Sequence, residues 1–133
     1  MSYERLRVAK PMRRLLIAME LYTRHIEKEH RGQWREAKML AYGCFGNLIR
    51  AAEEWDAGEK DKYLLAFLND FAVFRGMMQI LAEAKIITRK KASEIAEYTA
   101  DIKKQIVGWR KDITRDSTSS RPSGESEIDN EKD

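Results

Sequence analysis

Residues 87–113 read ITRKKASEIAEYTADIKKQIVGWRKDI, and the spacing of their apolar side chains decides the fold. These side chains recur in steps of three and four, which predicts one narrow seam along one side of a helix. The seam consists of Ala92, Ile95, Thr99, Ile102, Ile106, Trp109 and Ile113. Thr88 is predicted to cap this helix, because its hydroxyl can accept a hydrogen bond from an amide of the first turn. A seam this narrow requires other helices to pack against.

Three earlier segments show the same helical spacing. They are predicted to run from residue 3 or 11 to residue 29, over 33–55 and over 61–84. Their inward faces are Met12, Leu15, Met19, Tyr22 and Ile26 on the first, Trp34, Ala37, Ala41, Cys44, Leu48, Ala51 and Trp55 on the second, and Leu64, Phe67 or Leu68, Phe71, Phe74, Met78 and Leu81 on the third. No segment alternates long enough to compete as a strand. The sequence therefore predicts an all-α, up-down-up-down antiparallel four-helix bundle over residues 1–115.

The third segment is apolar well beyond its core stripe, at Leu65, Ala72, Val73, Met77 and Ile80. Such a helix is buried on more than one side, either at the centre of the monomer or against another subunit. Every helix of a four-helix bundle has an outer face, so the pattern favours a subunit interface and predicts an oligomer.

The net charge of +3 hides an asymmetry along the chain. Residues 1–115 carry 23 Lys and Arg against 16 Asp and Glu, a balance of +7, whereas residues 116–133 carry 2 against 6, a balance of −4. The second part is rich in Ser, Asp and Glu and is predicted to be a disordered acidic tail. It either shields the basic surface from non-specific nucleic acid or only improves solubility. The basic first part suggests a polyanionic partner.

Composition and motifs argue against catalysis and membrane insertion. Cys44 is the only cysteine, so no internal disulfide can form, and a reducing, cytoplasmic location is expected. No apolar run approaches the roughly 18 residues of a membrane span. Neither a glycine-rich phosphate loop, nor a Cys/His metal pattern, nor a nucleophile elbow is present, so no metal, cofactor or catalytic residue is predicted. Cys44 is interpreted as a packed core thiol.

The basic residues are the stronger indication of function. They cluster on the first helix with the start of the second, and on the fourth, and are predicted to bind nucleic acid: Arg13, Arg14, Arg24, Lys28, Arg31, Arg35 and Lys38, with Lys103, Lys104, Arg110 and Lys111. If the first and fourth helices are neighbours, the two groups could merge into one surface. The alternative is an ordinary charged surface. Phosphate contacts of this kind would not read base sequence.

Arg75 is a separate case, because it lies among apolar residues of the third segment. A guanidinium there must find an acceptor, since burying it unpaired is very costly. The acceptor is either an acid of the same bundle, such as Asp70 or Glu53, or a group across a subunit or partner interface.

One catalytic alternative is a ribonuclease. Arg24 and His30 are separated by five residues and resemble the Arg-x(4–6)-His motif of HEPN ribonucleases, which are also helical bundles. There the two side chains would stabilise charge and move protons at a scissile phosphate. The motif lies late in HEPN domains, whereas here it ends the first helix, and a solvated helix end is the simpler explanation.

Residues 68–111 resemble the C-terminal half of the accessory variability determinant (Avd) proteins of diversity-generating retroelements. The resemblance is carried by Phe74-Arg75, Leu81-Ala82, Ile87-Thr88 and Ile106-Val107-Gly108-Trp109. It implies a homopentameric barrel of four-helix bundles that binds a reverse transcriptase and template RNA or cDNA, with no activity of its own. Arg75, Gln79 and Trp109 would then lie at the partner interface, although Gln79 replaces a second arginine of the family. Bundle proteins encoded in ribosomal RNA intervening sequences share this fold, so a purely structural role is the other alternative.

Overall fold

The computed structural model describes residues 2–119 of the chain, and within them the protein is all-helical. The four helices are α1 (Ala9–Tyr22), α2 (Arg31–Glu53), α3 (Ala57–Glu83) and α4 (Arg89–Ser119). Short 3₁₀ turns precede α1 (Tyr3–Arg5) and connect it to α2 (Thr23–His25 and Lys28–His30). The four helices pack against one another, and no strand occurs in the described part, so the all-α prediction is confirmed.

The core is the one that the apolar spacing predicts. The fully buried side chains of α4 are Ile95, Ile102 and Ile106, and α3 contributes a buried row from Leu64 to Leu81. On α2 the small residues Ala37, Ala41 and Cys44 are completely buried. They let α2 approach α3 closely, and the thiol of Cys44 lies 3.8 Å from the carbonyl oxygen of Phe67. α2 packs most extensively against α3, while α4 packs against both α3 and α1.

The start of α4 agrees with the sequence. The Thr88 hydroxyl accepts a hydrogen bond from the amide of Lys91 at 3.1 Å, as the cap prediction requires. α4 continues to Ser119, so the predicted domain boundary at residue 116 falls within this helix. The rest of the predicted acidic tail, residues 120–133, lies outside the described residues.

The predicted end of the first helix at Glu29 is wrong. α1 ends at Tyr22, and the chain becomes extended at Ile26. At the end of α1 the Thr23 hydroxyl donates to the carbonyl of Met19 and accepts from the indole N–H of Trp34 at 3.0 Å, while the Thr23 amide donates to the carbonyl of Glu20 and begins the 3₁₀ turn. Ile26 is buried, as predicted, although the backbone is extended there and no longer helical.

Trp55 was predicted to close the buried seam of α2, and this is also wrong. α2 ends at Glu53, and the Trp55 side chain is 88% exposed. The backbone is extended at Glu54 and Asp56, so the helical spacing that would have turned the indole inward stops two residues earlier.

α3 bears on the prediction that the chain has no apolar run of membrane-spanning length. Its length and a mean hydropathy of 1.3 over 18 residues are those of a helix able to cross a membrane, and a third of that window is buried inside the bundle. The same test is passed by core helices of soluble proteins. Here one face of α3 forms the core through Phe67, Phe71 and Phe74.

We expect Ile102→Ala to lower the free energy of unfolding by about 2–5 kcal/mol, because it leaves a cavity in the centre of the α4 seam. Urea denaturation followed by circular dichroism measures this loss. Lys103→Ala, one residue along on the exposed side, is the control and should change stability by less than about 0.5 kcal/mol. Equal losses in the two variants would mean that the seam does not face the core.

Candidate nucleic-acid interface

One end of the bundle is formed by the α1–α2 connection together with the α3–α4 turn. The phenol oxygen of Tyr22 accepts a hydrogen bond from the amide of Thr88 at 3.1 Å, which joins the two segments. The guanidinium of Arg31 donates to the carbonyl of Ile26 at 3.3 Å and holds the corner closed. Lys85 takes a left-handed conformation (φ 62°) and reverses the chain after α3.

Six exposed cations lie at this end, and we call this group the basic end. Its members are Arg24, Lys28, Arg31, Lys85, Arg89 and Lys90. Within residues 2–119 none of the six forms an ion pair, whereas the neighbouring Lys91 is paired with Glu94 at 2.7 Å. Four acids, Glu27, Glu29, Glu83 and Glu94, lie at the same end, the last of them paired with Lys91, so positive charge is in excess there.

A cleft of about 840 Å³ opens between the two connections. Its walls include Tyr22, His25, His30, Lys85 and Arg89. The rings of Tyr22 and His25 are 5.4 Å apart, so the cleft combines aromatic surface with cations. Such a combination suits a nucleic acid strand, whose bases stack on rings while its phosphates bind cations.

The imidazole of His30 lies in this cleft without a hydrogen bond. Its Nδ1 is buried and has no partner within the described residues, and its Nε2 is 3.6 Å from a Glu29 carboxylate oxygen. Glu27, Glu29 and His30 place ligand atoms within 4.8 Å of one another, which is the geometry in which these residues could hold a metal ion. Both glutamates are exposed and all three residues belong to one short turn, so this proximity follows from their closeness in sequence.

The cations of α4 do not all lie where a single merged surface would require. Lys104 lines the α1–α4 groove with Arg5 and Arg7, and Arg14 lies further along it. Glu97, Asp101 and Asp112 line the same groove, so its charge is mixed. The cations of the α1–α2 connection instead lie at the same end of the bundle as the cations in the first turn of α4. Arg13, Arg35, Lys103 and Lys111 are exposed elsewhere on the bundle.

Two of the predicted nucleic-acid ligands are engaged within the bundle. Lys38 is 3.0 Å from Glu20, and Arg110 binds Asp61 through two hydrogen bonds of 2.7 and 3.0 Å. The Tyr42 hydroxyl and Lys38 together lower the pKa of Glu20, and the hydrogen bonds to Asp61 raise the pKa of Arg110. Both cations therefore hold helices together, which leaves less of their charge for a phosphate.

Of the residues predicted at a partner interface, Arg75 and Gln79 lie one turn apart on α3, whereas Trp109 lies on α4. Arg75 is exposed and makes no ion pair within residues 2–119, so neither Asp70 nor Glu53 is its partner. Phe71 and Met78, one turn away on either side of Arg75, are buried, so Arg75 lies at the edge of the core face of α3 with its side chain in solvent. Gln79 donates to Glu83 at 3.1 Å, and Trp109 is half-buried beneath the ammonium of Lys60, 5.7 Å from its ring.

Sequence reasoning missed Lys85, Arg89 and Lys90. A signal for the last two was present, because basic residues in the first turn of a helix face the positive end of its dipole. α4 has Arg89, Lys90 and Lys91 in that turn and no acid. Each such cation costs about 0.3–1 kcal/mol. A cluster of cations at a position where each lowers the stability of the helix indicates a role other than stability.

Comparison of the chain with family models, with curated proteins and with solved structures finds no match.

We expect the Cys44 thiol to be inert in the folded protein. Burial, with a smaller contribution from Asp70, raises its pKa to about 12, so at pH 8 roughly one molecule in ten thousand carries the thiolate. Reaction with Ellman's reagent should be at least about a hundredfold slower in buffer than in 6 M guanidinium, where the thiol is free. Similar rates in both solutions would contradict the burial of Cys44.

Proposed function

We propose that this protein is a non-catalytic accessory protein that binds nucleic acid, of the type that accompanies the reverse transcriptase of a diversity-generating retroelement. In this proposal it is a cytoplasmic up-down-up-down antiparallel bundle that assembles as a homopentamer. It binds the reverse transcriptase and the template RNA or its cDNA, and it supports mutagenic cDNA synthesis without a cofactor. The retroelement, the polymerase partner and the number five rest on the Avd resemblance alone.

The observation that carries the nucleic-acid part is the basic end. Two of its six unpaired cations, Lys85 and Arg89, line a cleft with aromatic walls. Arg89 and Lys90 lie in the first turn of α4, at a cost to the stability of that helix. Binding of an anionic partner would offset that loss of stability, because its phosphates neutralise the cations and place negative charge at the positive end of the helix dipole. The exposed cations of the α1–α4 groove would extend the contact with a longer strand.

The exposed face of α3 supports assembly. Leu65, Val73 and Ile80 are 44%, 56% and 67% exposed, and the small residues Ala72 and Gly76 lie between them. An apolar stripe of this length is typical of a surface that another subunit covers. Arg75 stands beside the stripe, where it could bind an acceptor on a neighbouring subunit or on the polymerase.

A ribonuclease acting through Arg24 and His30 is the second candidate. The observation in its favour is that both imidazole nitrogens of His30 lack hydrogen bonds within the described residues. The ring lies in a cleft whose walls include the cations Lys85 and Arg89. Purified protein incubated with RNA distinguishes the two functions. Cleavage that disappears in His30→Ala would establish the ribonuclease, whereas RNA that stays intact while bound would exclude it. A purely structural bundle would neither bind nor cleave.

We expect Arg89→Glu/Lys90→Glu to weaken binding of a single-stranded RNA at least tenfold at low salt and to reduce the salt slope by about 1.4. The same change should raise the melting temperature, because glutamates favour the first turn of a helix. Fluorescence anisotropy and thermal denaturation measure the two effects. Opposite changes in affinity and stability would show that the loss of binding is not caused by unfolding.

The matched control is Lys62→Glu/Arg115→Glu, which alters net charge equally. These two exposed cations are paired with Glu59 and Asp112, away from the basic end. The control should keep most of the RNA affinity. An equal loss in both double variants would mean that only the net charge of the protein matters, and no binding by the unaltered protein would remove the proposal.

We expect Val73→Glu to dissociate the assembly, because a charge would be desolvated in the contact between subunits. Size-exclusion chromatography with light scattering measures the mass before and after the change. Ala100→Glu, at an exposed position of α4, is the control and should keep the assembly intact. A protein that is monomeric without any substitution would contradict the predicted role of α3.

A further inference from the structure

The end of α2 carries a solvent-exposed tryptophan that nothing in the bundle explains. Trp55 is the most exposed of the large hydrophobic residues that the structure describes, at 88%. It occupies the middle of the three residues between α2 and α3, where both neighbours have extended backbones that direct the chain outward. Tryptophan is rarely left this exposed, and it is among the residues most enriched at the energetic centres of protein interfaces.

The charge around Trp55 is opposite to that of the chain as a whole. Residues 53–62 contain five acids and two lysines: Glu53, Glu54, Asp56, Glu59 and Asp61 against Lys60 and Lys62. Glu54 accepts a hydrogen bond from the amide of Asp56 at 3.1 Å, and Asp56 accepts one from the amide of Glu59 at 3.0 Å. The two carboxylates that flank Trp55 are therefore held in place by the backbone next to the indole.

The cations of this region are already engaged. Lys60 donates to the carbonyl of Ala51 at 2.7 Å and turns toward Trp109, and burial lowers its pKa. Lys62 is paired with Glu59 at 3.0 Å. Glu53 is exposed and forms no ion pair within residues 2–119. Glu59 and Asp61 are thus neutralised by Lys62 and Arg110. In the described part of this region, the negative charge without an ion pair is that of Glu53, Glu54 and Asp56, beside the aromatic face of Trp55.

We propose that Trp55, with Glu53, Glu54 and Asp56, binds an arginine- or lysine-rich segment of a partner protein. A guanidinium over the indole gains a cation–π interaction, and the flanking carboxylates accept its N–H groups. Nucleic acid does not fit this surface, because the carboxylates repel phosphates. α2 separates it from the basic end by roughly 35 Å, so both partners can bind the same subunit. The proposal does not depend on the nucleic-acid function.

The test is a titration of the full chain with a fluorescein-labelled nine-residue oligoarginine, followed by anisotropy at low salt. An oligoglutamine of equal length is the control peptide. We expect only oligoarginine to bind, and we expect Trp55→Ala to weaken it about tenfold although no charge is altered. Glu53→Gln/Glu54→Gln should weaken it to a similar extent. The matched variant Glu97→Gln/Asp101→Asn, which removes two exposed acids of α4, should change affinity less than about twofold.

Two results would overturn the proposal. If Trp55→Ala binds oligoarginine as tightly as the unaltered protein, the peptide is attracted only by general negative charge, including that of residues 116–133. If acrylamide fails to quench the fluorescence that Trp55 contributes, measured as the difference between the two proteins, a second copy of the chain covers the indole. Circular dichroism of Trp55→Ala should be unchanged, because so exposed a side chain adds little to the fold.

Discussion

The close approach of α2 and α3 is the constraint on which the rest of the structure depends. Small residues of α2, chiefly Ala41 and Cys44, leave room for the phenylalanines of α3, whose rings follow one another at 5.1 Å (Phe67 and Phe71) and 5.6 Å (Phe71 and Phe74). Larger side chains on α2 would separate the helices and leave voids between the rings. α4 packs on α3, and α1 packs on α4, so the position of each connection follows from this first pair.

The connections at the two ends of α2 differ in charge, and this difference bears on function. Acids in the first turn of α3, where Asp56 caps the helix and Glu59 follows, face the positive end of the helix dipole and stabilise it. Asp56 and Glu59 are therefore compatible with stability alone, whereas Glu53, in the last turn of α2, and the exposure of Trp55 require another explanation. The cations in the first turn of α4 are different, because stability opposes them. Of the two charged ends, the basic one is the better evidence for a ligand.

Sequence reasoning recovered the core because burial imposes a regular spacing. The seam of α4, the aromatic row of α3 and the cap at Thr88 all follow from local rules of helix geometry. It failed where helices end. After Tyr22 the α-helix gives way to a 3₁₀ turn and then to extended backbone at Ile26, and the extended residues after Glu53 leave Trp55 exposed. Neither event changes the hydrophobic pattern, so the spacing alone could not reveal them.

The candidate site was harder to predict, because charge has no such periodicity. Arg24 and Lys28 were found, but two other cations of the basic end, Lys85 and Arg89, come from a turn some sixty residues later in the chain. Lys38 and Arg110 look equivalent to these in sequence, and only the structure shows that Glu20 and Asp61 engage them. Pairing between helices decides which cations remain available to a ligand.

The outer face of α3 resembles the contact between α2 and α3 that holds the bundle together. Within the bundle, small residues of one helix receive large residues of the next. On the exposed face, Ala72 and Gly76 lie between Leu65, Val73 and Ile80, so another helix could approach there as α2 approaches on the inner side. The same composition gives α3 the hydropathy of a membrane span, but its inner row of phenylalanines is already packed in the bundle. What remains is one apolar stripe rather than a full circumference, and a stripe is suited to a protein neighbour more than to lipid on all sides.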